Sequence, residues 1–247
     1  MKLSVYPVYS LLTPQSLEGA AALVIDTLRM TSVAAVALGN GCAGLRVVCE
    51  VEQARALARE TGALLGGERQ ALRIAGFDFS NSPLEYTAEK LRGRRLVMTT
   101  SNGTRAIQAA LGALEVYLGC LMNASAAARA LEGRDALAIV LAGTGGRFSL
   151  EDAVTAGAVI ARLGPGCELD DMALAALCLY ERARGDMHAF LSPTAHYRKL
   201  ARLGFSGDLR LCLTEDAAPC LPRLCGDGWF RAAGAAAQAP EKQNPAD

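Results

Sequence analysis

An α/β fold, specifically a three-layer α/β/α sandwich on a largely parallel or mixed central sheet, is predicted by three observations. Short apolar strands alternate with amphipathic helices along most of the 247-residue chain. Several strands lack in–out alternation, as in ALAIVLA at 136–142, which suits a sheet covered on both faces. Three times an apolar strand runs into a polar loop that opens a helix: LVID-TLRMTS-VAAVAL, LVMTT-SNG-TRAIQAAL and IVLAG-TGGRFS-LEDAVTAGAVI. Lengths and residues differ among the three, so this is not a repeat protein.

Element by element, strands are expected over 2–6, 22–26, 44–49, 63–67, 95–99, 115–118 and 137–142. Helices are expected over 32–38, 51–61, 83–92, 104–111, 124–132, 150–163 and 170–184. The helix at 83 has a clear start signal: Ser82 as cap, Pro83 in the first turn and Glu85 completing a capping box. The length suits one α/β domain over 1–233, divisible at most into two tightly packed halves, and the small, polar, Pro-containing stretch over 234–247 reads as a flexible tail.

Composition removes several function classes. Lys+Arg and Asp+Glu both number 25, so no bulk basicity holds nucleic acid and no polybasic run holds a membrane. No stretch reaches the length of a transmembrane helix, and the start lacks the apolar core of a signal peptide, so the expected location is the cytoplasm. The 8 cysteines are scattered without a CxxC pair and read as reduced thiols. Any bound anion must therefore be held by a local site.

Four segments could build one. In open α/β sheets ligands sit off the carboxyl ends of strands, where helix N-termini present free N–H groups. The first loop supplies Asp26, Arg29, Thr31 and Ser32, with Asp26 and Arg29 spaced as a neutralising pair. The second, GGERQALRIAGFDFSNSP, carries Glu68, Arg69, Asp78, Asn81 and Ser82; arginine suits phosphate or sulfonate oxygens and carboxylates suit a hard cation. A structural ion pair between Arg69 and Asp78 is the alternative. The third is a run of hydroxyls and an amide, Thr99, Thr100, Ser101, Asn102, Gly103 and Thr104, resembling an anion cradle but lacking the spacing and lysine of a P-loop. The fourth offers Gly143 and Gly145 for close backbone approach, then Glu151 and Asp152. Ser149 with Asp152 also fits a capping-box pattern, which explains the acidic residues without catalysis.

Together these segments resemble the 2-phosphosulfolactate phosphatase family of coenzyme M biosynthesis. The pattern is Asp-x-x-Arg-x-Thr at 26–31, Gly-Gly-Glu-Arg at 66–69, Gly-Phe-Asp-x-x-Asn-Ser-Pro at 76–83, Thr-Thr-x-Asn-Gly-Thr at 99–104 and Gly-x-x-Gly-x-Phe-x-x-Glu-Asp at 143–152. Ser101 stands where Thr is usual, Ser80 where Gly is common, and Met30 and Val33 replace small or hydroxylated residues. The resemblance implies a Mg²⁺-dependent hydrolase converting 2-phospho-3-sulfolactate to 3-sulfolactate and phosphate. It implies catalytic Asp26, Glu68, Arg69 and Asp78, and metal ligands drawn from Asp26, Glu68, Asp78, Glu151 and Asp152. Substrate contacts would come from Arg29, Thr31, Asn81, Ser82, Thr100, Ser101, Asn102, Gly103, Thr104, Gly143 and Gly145. The partner is a small phosphorylated anion, and a homodimer is an expectation for a compact metabolic enzyme.

Other phosphatase chemistries fit poorly. Neither His188 nor His196 lies in an Arg-His-Gly context, and the Cys49-x5-Arg55 spacing encloses an acidic, glycine-free EVEQA. No Asp-x-Asp follows from Asp26. The alternatives are the same scaffold acting on another small 2-phosphohydroxy acid, or a non-catalytic binder of small anions.

Overall fold

The computed structural model describes residues 1–234. The strands are β1 (Lys2–Tyr6), β2 (Ala21–Ile25), β3 (Gly44–Val47), β4 (Leu64–Arg69), β5 (Leu72–Arg73), β6 (Arg95–Thr99), β7 (Glu115–Gly119), β8 (Ala136–Leu141), β9 (Glu168–Leu169), β10 (Pro222–Leu224) and β11 (Phe230–Ala232). The helices are α1 (Met30–Gly39), α2 (Val51–Thr61), α3 (Ala88–Leu91), α4 (Gly103–Ala110), α5 (Ala124–Leu131), α6 (Leu150–Leu163), α7 (Asp171–Ala183), α8 (Met187–Leu191), α9 (Ala195–Arg202) and α10 (Ser206–Cys212). The tail expected over 234–247 lies, from 235 onward, outside the described residues.

The strands form one mixed sheet in the order β5-β4-β6-β3-β11-β10-β7-β2-β8-β1-β9. It consists of two parallel groups, with β5 added antiparallel to β4 at one edge. β4, β6 and β3 pair in parallel on one side, and β7, β2, β8, β1 and β9 on the other. The antiparallel hairpin β10–β11 joins them, meeting β7 at Arg223–Tyr117 and β3 at Phe230–Leu45.

All five residues of β2 are buried, which accounts for its uninterrupted apolar sequence. Leu23 and Ile25 enter a core with Leu3, Val5, Ile139 and residues of α5, α6 and α7. Ala22 and Val24 point the other way, into a core with Met30, Val33, Ala106 and Ile107 of α1 and α4. A smaller cluster of Ala54, Phe77, Val97 and Trp229 seats α2 beneath the first parallel group. Two helical layers thus cover the sheet. The eight cysteines are free.

The expected helix over 83–92 is interrupted. It is a single 3₁₀ turn, Pro83–Glu85, followed by α3. Glu85 does not serve the capping box; its carboxylate reaches back to accept from Ser80 N at 2.7 Å and Ser80 Oγ at 2.6 Å. Ser82 Oγ donates instead to Asp208 at 2.7 Å. Likewise Ser149 and Asp152 form no capping box at α6; Ser149 Oγ bonds Thr144 Oγ1 and Asp152 bonds other loops.

Beyond residue 184 the chain adds three helices and the β10–β11 hairpin, none of which the strand–helix alternation indicates. Side-chain caps set two of these helix starts: Asp186 accepts from Ala189 N at α8 and Thr194 from Tyr197 N at α9.

Candidate active site

The carboxyl ends of β2, β4, β6 and β8 bring their loops to one edge of the sheet, and each loop is fixed by bonds that its own sequence supplies. After β2, Thr31 Oγ1 donates to Asp26 O at 2.9 Å and Ser32 Oγ to Thr27 O at 2.8 Å. Both hydroxyls are buried, so Thr31, expected to touch substrate, instead ties the loop to α1. After β6, Thr104 Oγ1 accepts from Thr100 N at 2.9 Å and lies 3.1 Å from Thr100 Oγ1. Thr104 is consumed in the same way.

Two of the acidic residues act as brackets between loops. Glu68 accepts from Ala71 N at 2.7 Å and Ser101 N at 2.8 Å, joining the β4–β5 turn to the loop after β6. Asp152 accepts from Thr27 N at 2.9 Å and Gly143 N at 3.0 Å, joining the loops after β2 and β8. Ala71 has φ 73°, a left-handed conformation unusual for alanine. It is held there from both sides, its N–H by Glu68 and its carbonyl by Arg29 Nη2 at 3.3 Å.

Arg29 is only 2 % exposed. It does not pair with Asp26, as the spacing suggests; its Nη1 donates to Asp208 Oδ2 at 2.5 Å and its guanidinium stacks 4.0 Å from the Phe205 ring centroid. Asp208 also accepts from Ser82, so α10 fixes two expected substrate contacts through one carboxylate.

These elements enclose a narrow cleft of about 70 Å³ whose walls include Asp26, Arg29, Glu68, Asn81, His196 and Lys199, with Thr100, Ser101 and Asn102 on one side. Asp26 is buried and accepts one long hydrogen bond, from Met30 N at 3.4 Å. A β-carbon at Gly103 would lie 2.5 Å from Asp26 Oδ2, so only glycine lets α4 begin against this carboxylate. Burial pushes the Asp26 pKa up to about 6; His196 pulls it down, and Glu68 and Glu151 push it up. Burial likewise holds the Asp152 carboxyl well above the usual range, reinforced by Glu151 and Asp26. Asn81 Oδ1 is buried without a hydrogen-bond partner among the described residues, and its side chain lines the cleft. An unpaired buried amide in such a place costs about 1–3 kcal/mol unless a ligand meets it.

His196 Nδ1 lies 2.7 Å from Glu151 Oε1 and 3.2 Å from Thr144 Oγ1. A histidine held through one nitrogen by a carboxylate presents the other in a fixed direction. Neither His196, Lys199 nor Asp208 has a local motif to announce it; all three arrive on the late helices α9 and α10. Glycine-rich loops and capping residues mark the other walls.

Beside the cleft, and sharing Thr100, Ser101 and Asn102 with it, lies a roomier outer lobe of about 380 Å³ that contains Arg69, Arg105 and Gly145. Arg69 donates to Glu68 O at 2.8 Å, Cys49 O at 3.0 Å and Thr99 Oγ1 at 3.0 Å, not to Asp78. Asp78 is exposed, accepts from Leu65 N at 2.7 Å and lines neither hollow. Gly145 N donates to Asn102 Oδ1 at 3.1 Å, tying together the loops that both hollows share. Gly143 serves Asp152 and is not in either wall. Among the described residues no three of His, Cys, Asp and Glu are grouped as a ready metal cluster. Of the five carboxylates considered as metal ligands, Asp26 alone both lines the cleft and is not bracketing backbone N–H groups. Glu151 is engaged by His196.

The profile of the family described as 2-phosphosulpholactate phosphatase matches residues 7–227 of this chain. A protein of Caldanaerobacter subterraneus subsp. tengcongensis, named a probable 2-phosphosulfolactate phosphatase, is 41 % identical over 231 residues, covering 91 % of this chain and 95 % of its own. Proteins with the same name from Clostridium novyi and Symbiobacterium thermophilum are 40 % and 42 % identical over 215 residues, covering 85 % and 84 % of this chain and 91 % and 92 % of their own.

Proposed function

The chain belongs to the 2-phosphosulfolactate phosphatase family and is a phosphoric monoester hydrolase, and we propose that it hydrolyses 2-phospho-3-sulfolactate to 3-sulfolactate and inorganic phosphate with Mg²⁺. The observation that carries this reading is the buried Asp26 carboxylate at the end of β2, facing a narrow cleft with Arg29, Lys199 and the Glu151-bound His196. Acid and base groups of opposite character meet there in little space. A phosphate monoester needs such a set.

A magnesium ion fits the residues present. Asp26 is buried without a cationic hydrogen-bond partner among the described residues, and an ion beside it would relieve the burial that raises its pKa. Mg²⁺ commonly takes one or two carboxylates and fills its other positions with water and substrate phosphate, so the lack of a larger cluster suits it. When bound it supplies charge to offset the phosphate oxygens and polarises the phosphorus.

The chain's own groups divide the remaining work. Hydrolysis adds water across the bond between phosphorus and the ester oxygen of the hydroxy acid. That oxygen leaves as a strongly basic alkoxide and needs a proton. In this reading His196, oriented by Glu151, donates the proton, a contribution typically worth about 10²–10⁴ in rate. Arg29, already committed to Asp208, offers its remaining N–H groups to phosphate oxygens without moving. Asn81 donates from its Nδ2 to a substrate oxygen, and its unpaired Oδ1 accepts from water in the cleft.

The expected site of action is the cytoplasm, in coenzyme M biosynthesis. No helix among the described residues is long and apolar enough to cross a membrane. The test is release of inorganic phosphate from 2-phospho-3-sulfolactate by the purified protein, abolished by chelation and restored by Mg²⁺. No release with Mg²⁺ across a panel of 2-phosphohydroxy acids, alongside metal-independent binding of 3-sulfolactate, would make it an anion-binding protein instead.

A further inference from the structure

The inner cleft carries few uncommitted cations of its own for a molecule with three acidic groups. Its buried arginine, Arg29, is already offset by Asp208, and its other lining cation, Lys199, is outnumbered by Asp26 and Glu68. Phosphate and carboxylate sit on the same carbon of the substrate, whereas the sulfonate sits on the next. The sulfonate is therefore the group that extends farthest from the reacting bond, and it needs cations of its own.

The outer lobe has them. Adjacent residues of a strand point to opposite sides, so β4 sends Glu68 to the inner cleft and Arg69 to the outer lobe. Arg69 is fixed by two carbonyls and a hydroxyl and has no carboxylate within ion-pair distance among the described residues. Arg105, in the first turn of α4, is exposed and also lacks a carboxylate partner there. Cations are disfavoured at a helix N-terminus, so an unpaired arginine in that turn is not explained by helix stability. Glu50 is the one acidic residue in the lobe's lining, and it is exposed. Two guanidinium charges outnumber it, and the forked donors of Arg105 match the oxygens of a sulfonate.

We propose that the outer lobe is the sulfonate subsite, with Arg69 and Arg105 as its cations, and that Arg105 sets the preference for a sulfonated over a plain 2-phosphohydroxy acid. This rests on the phosphatase reading above. Both lobes share the Thr100–Ser101–Asn102 wall, which lets one compact molecule touch both.

The experiment compares kcat/KM for 2-phospho-3-sulfolactate and 2-phospholactate, which differ only in the sulfonate, in wild type, Arg105→Gln and Arg105→Lys. The wild-type preference for the sulfonated substrate is expected to narrow by roughly tenfold or more in Arg105→Gln, the size of one charge-assisted hydrogen bond, and to recover in part in Arg105→Lys. An unchanged preference, with any loss shared equally by the two substrates, would overturn the proposal while leaving the phosphatase reading intact. If the wild type hydrolyses neither substrate, the phosphatase reading fails first, and calorimetry decides the subsite. Arg105→Gln should weaken binding of 3-sulfolactate relative to lactate, and equal binding by variant and wild type would overturn it.

Discussion

Two regions meet at the cleft and hold their side chains by different means. The loops after β2, β4, β6 and β8 are stitched by short bonds: hydroxyls on nearby backbone, and Glu68 and Asp152 on neighbouring loop N–H groups. The late helices α9 and α10 reach in from far along the chain, giving His196 to Glu151 across 45 residues and Asp208 to Arg29 across 179. The first region makes a floor rich in donors but poor in mobile charge. The second brings the histidine that Glu151 holds and the carboxylate that Arg29 pairs with, and without it Arg29 would be a buried cation with no counter-ion. The floor with Asp26 and the His196 and Asp208 that pair with Glu151 and Arg29 come from different parts of the sequence.

The largest expected effect tests the floor's one open carboxylate. Asp26→Asn should lower phosphate release by at least about a thousandfold, on the scale of losing a principal transition-state interaction. The same variant should gain stability, and the gain should depend on pH. Because the folded-state pKa is raised to about 6 from 3.8, the folded protein holds this proton more tightly than the unfolded chain. Wild-type stability from this group therefore falls as pH rises from about 4 to 6 and stays reduced above. Thermal melts should show Asp26→Asn above wild type at pH 8 and level with it near pH 4. A melt below wild type at pH 8 would mean that the carboxylate is compensated in the apo protein.

The next test breaks the contribution of α9. His196→Asn should cost about 10²–10³ in kcat for the sulfolactate ester. It should cost much less for p-nitrophenyl phosphate, whose leaving group needs no proton. Equal losses on both would remove the histidine from proton transfer. Asp208→Asn should then act through Arg29: denaturant unfolding should show a loss on the order of 3–5 kcal/mol, as for other buried pairs deprived of one charge, with KM raised more than kcat is lowered. The smallest effect is expected at Asp78→Asn, which should keep activity within about twofold, since the residue is exposed and bonds only Leu65 N. A large loss there would bring Asp78 back into the site.

How far the sequence carries follows the same division. The strand–loop–helix junctions were legible because glycine, hydroxyl and acidic residues crowd helix starts for local reasons, and those starts lie at one edge of the sheet. That signal points to Asp26, Glu68, Asn81 and the Thr100–Asn102 run, all of which line the cleft. What it does not say is which carboxylates also hold backbone; Glu68 and Asp152, candidate metal ligands by resemblance, each bracket two loop N–H groups in space. Thr31 and Thr104 look like anion donors and are ties. His196, Lys199 and Asp208 sit on ordinary short helices, so no periodicity marks them, and only long-range packing gives them a role. The helix over 83–92 failed because Ser80, two residues upstream of the expected cap, competes successfully for Glu85.

The β10–β11 hairpin gives the chain an unusual order of assembly. On a ribosome its strands emerge after every other strand of the sheet, yet they lie in the middle, between β3 and β7. Before β10 and β11 are available, β3 and β7 have no strand between them, so each parallel group would carry a bare edge able to pair with another chain. Closure of the sheet is therefore a late event in synthesis, and a ribosome stalled before Pro222 would display two adhesive edges instead of a shortened enzyme.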